Sequence, residues 1–194
     1  MTKPQADAAQ EWEWLWDWDL EGLVESDWPP LAASDKIEEC RFFLGLMKTT
    51  TDWKQFRWLT SAFLEAARAA MDWMAYAAHH YSPYQDDEGV RVMDDCYVVP
   101  LSKYMITHRS GSKVFVQPVH PLLKVLCKRR TQTAHYGSLW IAPEKASSPS
   151  DFIFKEGGKK EGDQNVLQFC EEVLDLLAAI PHDLHDEVEA KDSE

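Results

Sequence analysis

Residues 53–78 read WKQFRWLTSAFLEAARAAMDWMAYAA, and this stretch decides the fold class. Its apolar residues recur every three or four positions, from Phe56 and Phe63 to Met71 and Met74. That spacing predicts a long amphipathic α-helix. The alanines between these positions favour helix and allow a second helix to pack closely. The sequence therefore predicts that this helix lies at the centre of a helical bundle.

Three further helices are predicted around it from the same periodicity. The first starts near Ser34, and another starts at Pro121, since proline suits the first turn of a helix. The last covers about residues 164–180 and is predicted to end at Pro181, which cannot continue the hydrogen-bond ladder. A short helix is also predicted over residues 86–97.

Residues 98–118 carry two β-prone runs on either side of Ser110-Gly111-Ser112, and they predict a β-hairpin. The predicted fold is therefore mostly all-α. It is an up-down bundle of four to five helices with a small β-hairpin insertion near 98–118. The helical domain is expected over residues 34–181, between an acidic Trp-rich segment of residues 1–33 and an acidic C-terminal segment of residues 182–194.

The Trp-rich segment alternates four tryptophans, Trp12 to Trp18, mainly with acidic residues. A period of two fits a strand with one aromatic face. It also fits a docking segment that binds a partner protein through aromatic anchors. A third interpretation is that the segment lies over the basic surface of its own chain and occupies a phosphate site there.

Several classes of protein are not expected. No apolar run approaches the roughly 20 residues that cross a bilayer, and the first ten residues are polar, so a cytoplasmic protein with no membrane partner is expected. The four cysteines are too widely spaced for a zinc site and are interpreted as reduced thiols. Gly-rich phosphate loops are absent, and no cofactor is expected.

The charge is distributed unevenly. The net charge is −13, yet residues 96–143 contain no Asp or Glu, whereas residues 1–39 contain eleven. This acid-free segment has seven basic residues: Lys103, Arg109, Lys113, Lys124, Lys128, Arg129 and Arg130. It is interpreted either as a solvated basic face that balances acidic neighbours or as a surface for phosphate.

Arg130 and His135 are the candidate catalytic pair within the acid-free segment. A guanidinium donates two parallel hydrogen bonds to phosphate, and imidazole transfers protons near neutral pH. Together these groups suffice for RNA cleavage without a metal. Because residues five apart on a helix are offset by about 140°, a two-fold dimer is expected to bring two such helix ends together.

The same spacing also fits a simpler interpretation. Arg130 would then be a surface residue, and His135 would interact favourably with the helix dipole. The His pair at His182 and His185 has metal-ligand spacing, but it is interpreted as incidental because it lies beyond Pro181 in a charged segment. His108 and His120 lie in the acid-free segment and are interpreted as ordinary surface residues.

Two stretches resemble the HEPN superfamily of small helical nucleotide-binding proteins. Ser61-Ala62-Phe63-Leu64-Glu65-Ala66-Ala67-Arg68 resembles the long-helix signature of one bacterial group. The stretch from His120 to His135, HPLLKVLCKRRTQTAH, resembles the helix that ends in the Arg-x4-6-His motif of the superfamily. The resemblance covers roughly residues 35–180, with the insertion near 98–118.

The resemblance implies a metal-independent endoribonuclease, or an RNase-derived toxin–antitoxin or antiviral defence protein, that acts on RNA as a homodimer. It implies Arg130 and His135 as catalytic residues, with Thr131 at the position that usually holds Asn. The residues expected to bind the RNA backbone are Lys124, Lys128, Arg129, Arg109 and Lys113. The alternative is a non-catalytic module that binds nucleic acid or protein, with residues 1–33 as the site for an antitoxin or other partner.

Overall fold

A computed structural model describes residues 29–80, 97–110, 113–136, 139–155 and 164–192. Within these ranges, side chains are described except at 29–32, 80, 134–136, 189 and 191–192. The helices are α1 (Pro29–Met47), α2 (Trp53–His80), α3 (Val98–Leu101), α4 (Pro121–Tyr136) and α5 (Val166–Asp192). The strands are β1 (Met105–Ser110), β2 (Lys113–Pro118), β3 (Ile141–Ala142), β4 (Ile153–Phe154) and β5 (Gln164–Asn165). The prediction of a mostly helical fold with a small hairpin is confirmed.

The first two helices form an antiparallel pair. The Asp52 side chain caps α2, since its Oδ1 accepts a hydrogen bond from the Gln55 backbone N–H at 2.7 Å. The predicted start of α1 near Ser34 was too late, because α1 begins at Pro29. Prolines are compatible with a first helical turn, where the backbone N–H groups have no partner within the helix.

Helix α2 supplies much of the core. Its buried residues recur at helical spacing along its whole length, as predicted. They include Phe56, Phe63, Leu64, Ala67, Ala70, Met71, Met74 and Ala78. Small alanines on this face let neighbouring helices approach closely.

The prediction that the last helix ends at Pro181 was wrong, since α5 continues through that proline to Asp192. The extension is held by tertiary contacts. Leu184 and Val188 are buried, and the Tyr104 hydroxyl donates a hydrogen bond to the Asp183 carboxylate. Burial of apolar surface here outweighs the backbone hydrogen bond that proline removes.

The segment from 98 to 118 folds in two parts. Val98–Leu101 was predicted to be β-prone but forms the short α3, with Pro100 and Leu101 buried. The predicted hairpin follows as β1 and β2, which pair antiparallel from Met105 opposite Pro118 to Ser110 opposite Lys113. One face of the hairpin packs on the helices through Met105, which is fully buried.

A second, three-stranded sheet packs near the start of α2. It has the order β3-β4-β5, with both pairs antiparallel. Phe152 stacks on Phe56 with ring centroids 4.0 Å apart, and the indole N–H of Trp53 donates to the Ile141 carbonyl at 2.7 Å. These contacts attach the stretch that follows α4 to the helical core.

Two predicted elements lie outside the described residues. They are most of the helix expected over residues 86–97 and most of the Trp-rich segment, since residues 81–96 and 1–28 are not described. Among the described helices, none is long and apolar enough to cross a bilayer.

Candidate functional site

Helix α4 packs antiparallel against α2 through polar contacts. The Arg130 Nε donates to Glu65 Oε2 at 2.9 Å, and the Arg68 Nη1 donates to the Cys127 sulfur at 3.1 Å. Three residues forward along α2, from Glu65 to Arg68, correspond to three residues backward along α4, from Arg130 to Cys127. The two helices therefore run in opposite directions. The candidate catalytic arginine therefore lies at a helix–helix seam.

Arg130 is largely enclosed but reaches solvent. Its side chain is 15% exposed, whereas that of Glu65 is 45% exposed. An ion pair this open contributes only about 1 kcal/mol or less, because water screens the two charges. The contact nevertheless fixes the direction of the guanidinium. An incoming phosphate would meet an oriented donor that a carboxylate already contacts.

A second ion pair lies beside the first on α2. Arg68 binds Asp72 with two contacts, Nε to Oδ2 at 3.1 Å and Nη2 to Oδ1 at 2.8 Å. Burial lowers the pKa of Arg68, but the Asp72 carboxylate and Cys127 together outweigh burial, and the net pKa lies above its usual value. Arg68 is therefore a permanent cation that crosslinks the seam.

Cys127 is not a nucleophile in this arrangement. Burial raises the pKa of its thiol above the ordinary value, although the Arg68 guanidinium opposes that rise. The thiol therefore stays protonated near neutral pH. We call the five residues at the seam the α2–α4 polar cluster; they are Glu65, Arg68, Asp72, Cys127 and Arg130.

Lys124, Lys128 and Thr131 are spaced four and three residues apart, so they share a face of α4 that differs from the face of Arg130. Lys124 and Lys128 are exposed and one turn apart, so their ammonium groups extend from the same side. Thr131 is half-buried. His135 lies in the last turn of α4, and its side chain is outside the described part of the structure.

Arg129 requires a correction. It was predicted to bind the RNA backbone, but it is only 4% exposed. Its guanidinium lies 3.5 Å from the Phe154 ring centroid and 4.4 Å from that of Phe169, and it donates to Gln164 Oε1 at 2.9 Å. In this position Arg129 joins α4 to α5 and the small sheet and cannot contact RNA.

Arg109 and Lys113 are not brought to Arg130. They belong to the hairpin, which meets α2 where the His79 ring contacts the Thr107 hydroxyl at 2.8 Å. His79 follows Glu65 by fourteen residues, which corresponds to about 20 Å along the helix. The predicted nucleic-acid-binding residues therefore divide into an α4 group and a hairpin group.

Three further histidines of the described residues lie on α5 and just before α4. His182 and His185 are exposed on α5, and in the described ranges no group of three or more potential metal ligands occurs. The Nδ1 of His120 accepts a hydrogen bond from the Leu122 backbone N–H at 3.3 Å, near the start of α4.

Sequence reasoning missed the contribution of α2 to the site. Glu65, Arg68 and Asp72 interrupt an otherwise apolar, alanine-rich stretch at positions i, i+3 and i+7. Charges at that spacing share one helix face. This pattern of three charged residues on an apolar helix was the signal in the sequence for polar residues on a neighbouring helix.

No protein-family model matches the chain, and neither a curated protein nor a solved structure gives a significant match.

Proposed function

We propose that the chain is a HEPN-like, metal-independent endoribonuclease whose site lies at the C-terminal half of α4. The supporting observation is that Glu65 orients the Arg130 guanidinium at the seam, little more than one turn before His135. The proposal also draws on the acid-free segment of residues 96–143 and on the exposed pair Lys124 and Lys128. In this proposal the lysines hold the RNA backbone by charge.

The proposed reaction is transesterification within the RNA. His135 removes the proton of a ribose 2′-hydroxyl, and the 2′-oxygen forms a bond to the adjacent phosphorus. Arg130 stabilises the negative charge that develops on the phosphorane. The bond to the 5′-oxygen then breaks, and that oxygen takes a proton from water, whose hydroxide recovers the proton held by His135. The products are a 2′,3′-cyclic phosphate and a 5′-hydroxyl.

A homodimer would bring the base and the phosphate-stabilising cation together. Arg130 and His135 are offset by about 140° around α4, so one helix does not aim both groups at a single phosphate. A two-fold axis near the end of α4 would place Arg130 of one copy beside His135 of the other. Residues 1–33 would then remain available for an antitoxin or another partner protein.

Cleavage of a defined RNA in the presence of EDTA tests this proposal. The wild-type chain is expected to cleave and to leave cyclic phosphate ends, while His135→Ala and Arg130→Ala are expected to be inactive. Lys54→Ala is the matched control, because Lys54 is an exposed helix residue outside the acid-free segment. Equal cleavage by the His135→Ala variant and the wild type would exclude this mechanism.

Mixing the two inactive variants tests the dimer. If each site combines Arg130 of one copy with His135 of the other, mixed dimers contain one intact site. About a quarter of the wild-type activity should then return. A mixture that stays inactive, although exchange of subunits is demonstrated, would argue against a shared site.

A non-catalytic binding module is the second candidate. It is favoured by Thr131 at the position where the family motif usually has Asn and by the carboxylate of Glu65 on Arg130. In that case RNA would bind without being cleaved, and Arg130→Ala would weaken binding.

A further inference from the structure

The outer face of the β1–β2 hairpin is uncovered in the described structure. Strand pairing assigns alternate residues to two faces. The inner face packs on the core through Met105, Val114 and Val116. The outer face comprises Ile106, His108, Ser110, Lys113, Phe115 and Gln117, and all except Lys113 are exposed. Those side chains add little to the core and are accessible to solvent.

Two neighbouring rings lie at the centre of this face. His108 and Phe115 are directly opposite each other on the two strands, with ring centroids 6.5 Å apart and planes inclined by 27°. Phe115 is 37% exposed, and neighbouring Ile106 is 52% exposed. Exposed rings on an antiparallel sheet form a surface on which a planar group can stack.

The composition of the face favours a nucleobase over the apolar core of a protein partner. One aromatic ring, one imidazole and one aliphatic side chain are surrounded by Ser110, Gln117 and Lys113, and none of the six outer-face residues of the two strands is acidic. Protein interfaces concentrate several large apolar residues. Proteins that bind single strands instead combine a stacking ring with positive charge along the backbone path.

The hairpin and the proposed cleavage site lie along the same helix, α2. It meets the C-terminal end of α2, and Arg130 contacts the same helix about 20 Å away. Because α2 and α4 are antiparallel, the exposed Lys124 and Lys128 project from levels between these two points. About six stacked nucleotides, at roughly 3.4 Å each, would cover that distance.

We propose that the outer face of the hairpin binds unpaired bases of a single-stranded nucleic acid by stacking on Phe115 and His108. The inference rests on the proposed function in one respect only, in that the ligand is taken to be RNA. Stacking does not require a 2′-hydroxyl, so a DNA strand of the same sequence should use the same rings.

Binding of fluorescein-labelled twelve-nucleotide oligouridine and oligodeoxyuridine to the full chain tests the proposal, with fluorescence anisotropy as the readout and EDTA present. Phe115→Ala is expected to weaken binding of both strands about tenfold, and His108→Ala several-fold. Phe115→Trp should retain the wild-type affinity, because indole also stacks. Phe42→Ala is the matched control, since Phe42 is an exposed phenylalanine on α1.

Unchanged affinity in the Phe115→Ala variant, with its fold verified by circular dichroism, would overturn the proposal. So would a wild-type chain that binds neither strand. If Phe115→Ala then shifts the tryptophan emission of the protein, and replacement of Trp12, Trp14, Trp16 and Trp18 by Phe abolishes that shift, the occupant of the face is the Trp-rich segment of residues 1–33 and not a nucleic acid.

The proposal of a stacking surface and the proposal of ribonuclease activity can be rejected independently. Loss of affinity in Phe115→Ala, together with equal cleavage by wild type and His135→Ala, would leave the surface and remove the catalytic proposal. Loss of cleavage in His135→Ala, together with wild-type affinity in Phe115→Ala, would do the reverse.

Discussion

The Arg130 guanidinium and the Glu65 carboxylate join α4 to α2 through a contact of 2.9 Å from Nε to Oε2. The N–H donors of a guanidinium that bind a carboxylate also suit a phosphate, because both anions present charged oxygens that accept hydrogen bonds. Glu65 therefore orients Arg130 and also competes with any anion that approaches it. Which effect is larger decides how a change at Glu65 alters the proposed binding of RNA.

Glu65→Gln is expected to raise the affinity for oligouridine about threefold. The amide keeps the shape of the side chain and its ability to accept a hydrogen bond, but it removes a negative charge beside the proposed phosphate position. Fluorescence anisotropy at low salt measures the change. Glu172→Gln, an exposed position on α5, should leave the affinity unaltered. A weaker-binding Glu65→Gln variant would show that orientation of Arg130 outweighs competition.

The position of Arg129 shows why part of the site could not be predicted. Lys128, Arg129 and Arg130 are adjacent basic residues, and composition gives no reason to separate them. A helix rotates them by 100° each, so they point respectively to solvent, to the core and to the α2 seam. Arg129 is the residue that points to the core. The rings that it contacts, Phe154 and Phe169, are distant from it in the sequence.

Arg129→Ala is expected to destabilise the fold by about 2–4 kcal/mol. The change removes a buried side chain from between two phenylalanine rings and leaves a cavity together with the unpaired amide of Gln164. Urea unfolding followed by circular dichroism measures the free energy of unfolding. Lys128→Ala provides the control and should change it by less than about 0.5 kcal/mol. A small effect at Arg129 would mean that the guanidinium is not held in the core.

Helices α2 and α4 were predictable because their patterns are local. Each has apolar residues at helical spacing, and each begins at a recognisable residue, Asp52 as a cap for α2 and Pro121 in the first turn of α4. The end of α5 was not predictable in this way. Proline gives a strong local stop signal, whereas the contacts that override it involve residues far away in sequence, such as Tyr104.

Leu184→Ala is expected to destabilise the protein by about 2 kcal/mol. Leu184 is 8% exposed on the turn after Pro181, so its removal costs buried apolar area and leaves space against the core. Chemical denaturation measures the loss, with the exposed Ala190→Ser as a control on the same helix. If Leu184→Ala unfolds at the wild-type urea concentration, the part of α5 beyond Pro181 does not pack as described.

Tyr104 gives this packing a dependence on pH. The hydrogen bond to Asp183, assisted by burial, raises the pKa of Tyr104 to about 12 from its ordinary value of 10.0. The folded chain therefore holds the phenolic proton more tightly than the unfolded chain. The resulting stability is fully present below pH 10 and is lost as the pH rises towards about 12.

Urea unfolding of wild type and Tyr104→Phe at several pH values isolates this contribution, because other groups titrate alike in both chains. Wild type should be the more stable at pH 8, and its advantage should shrink between pH 10 and 12. A constant difference across that range would show that the phenol does not donate to Asp183.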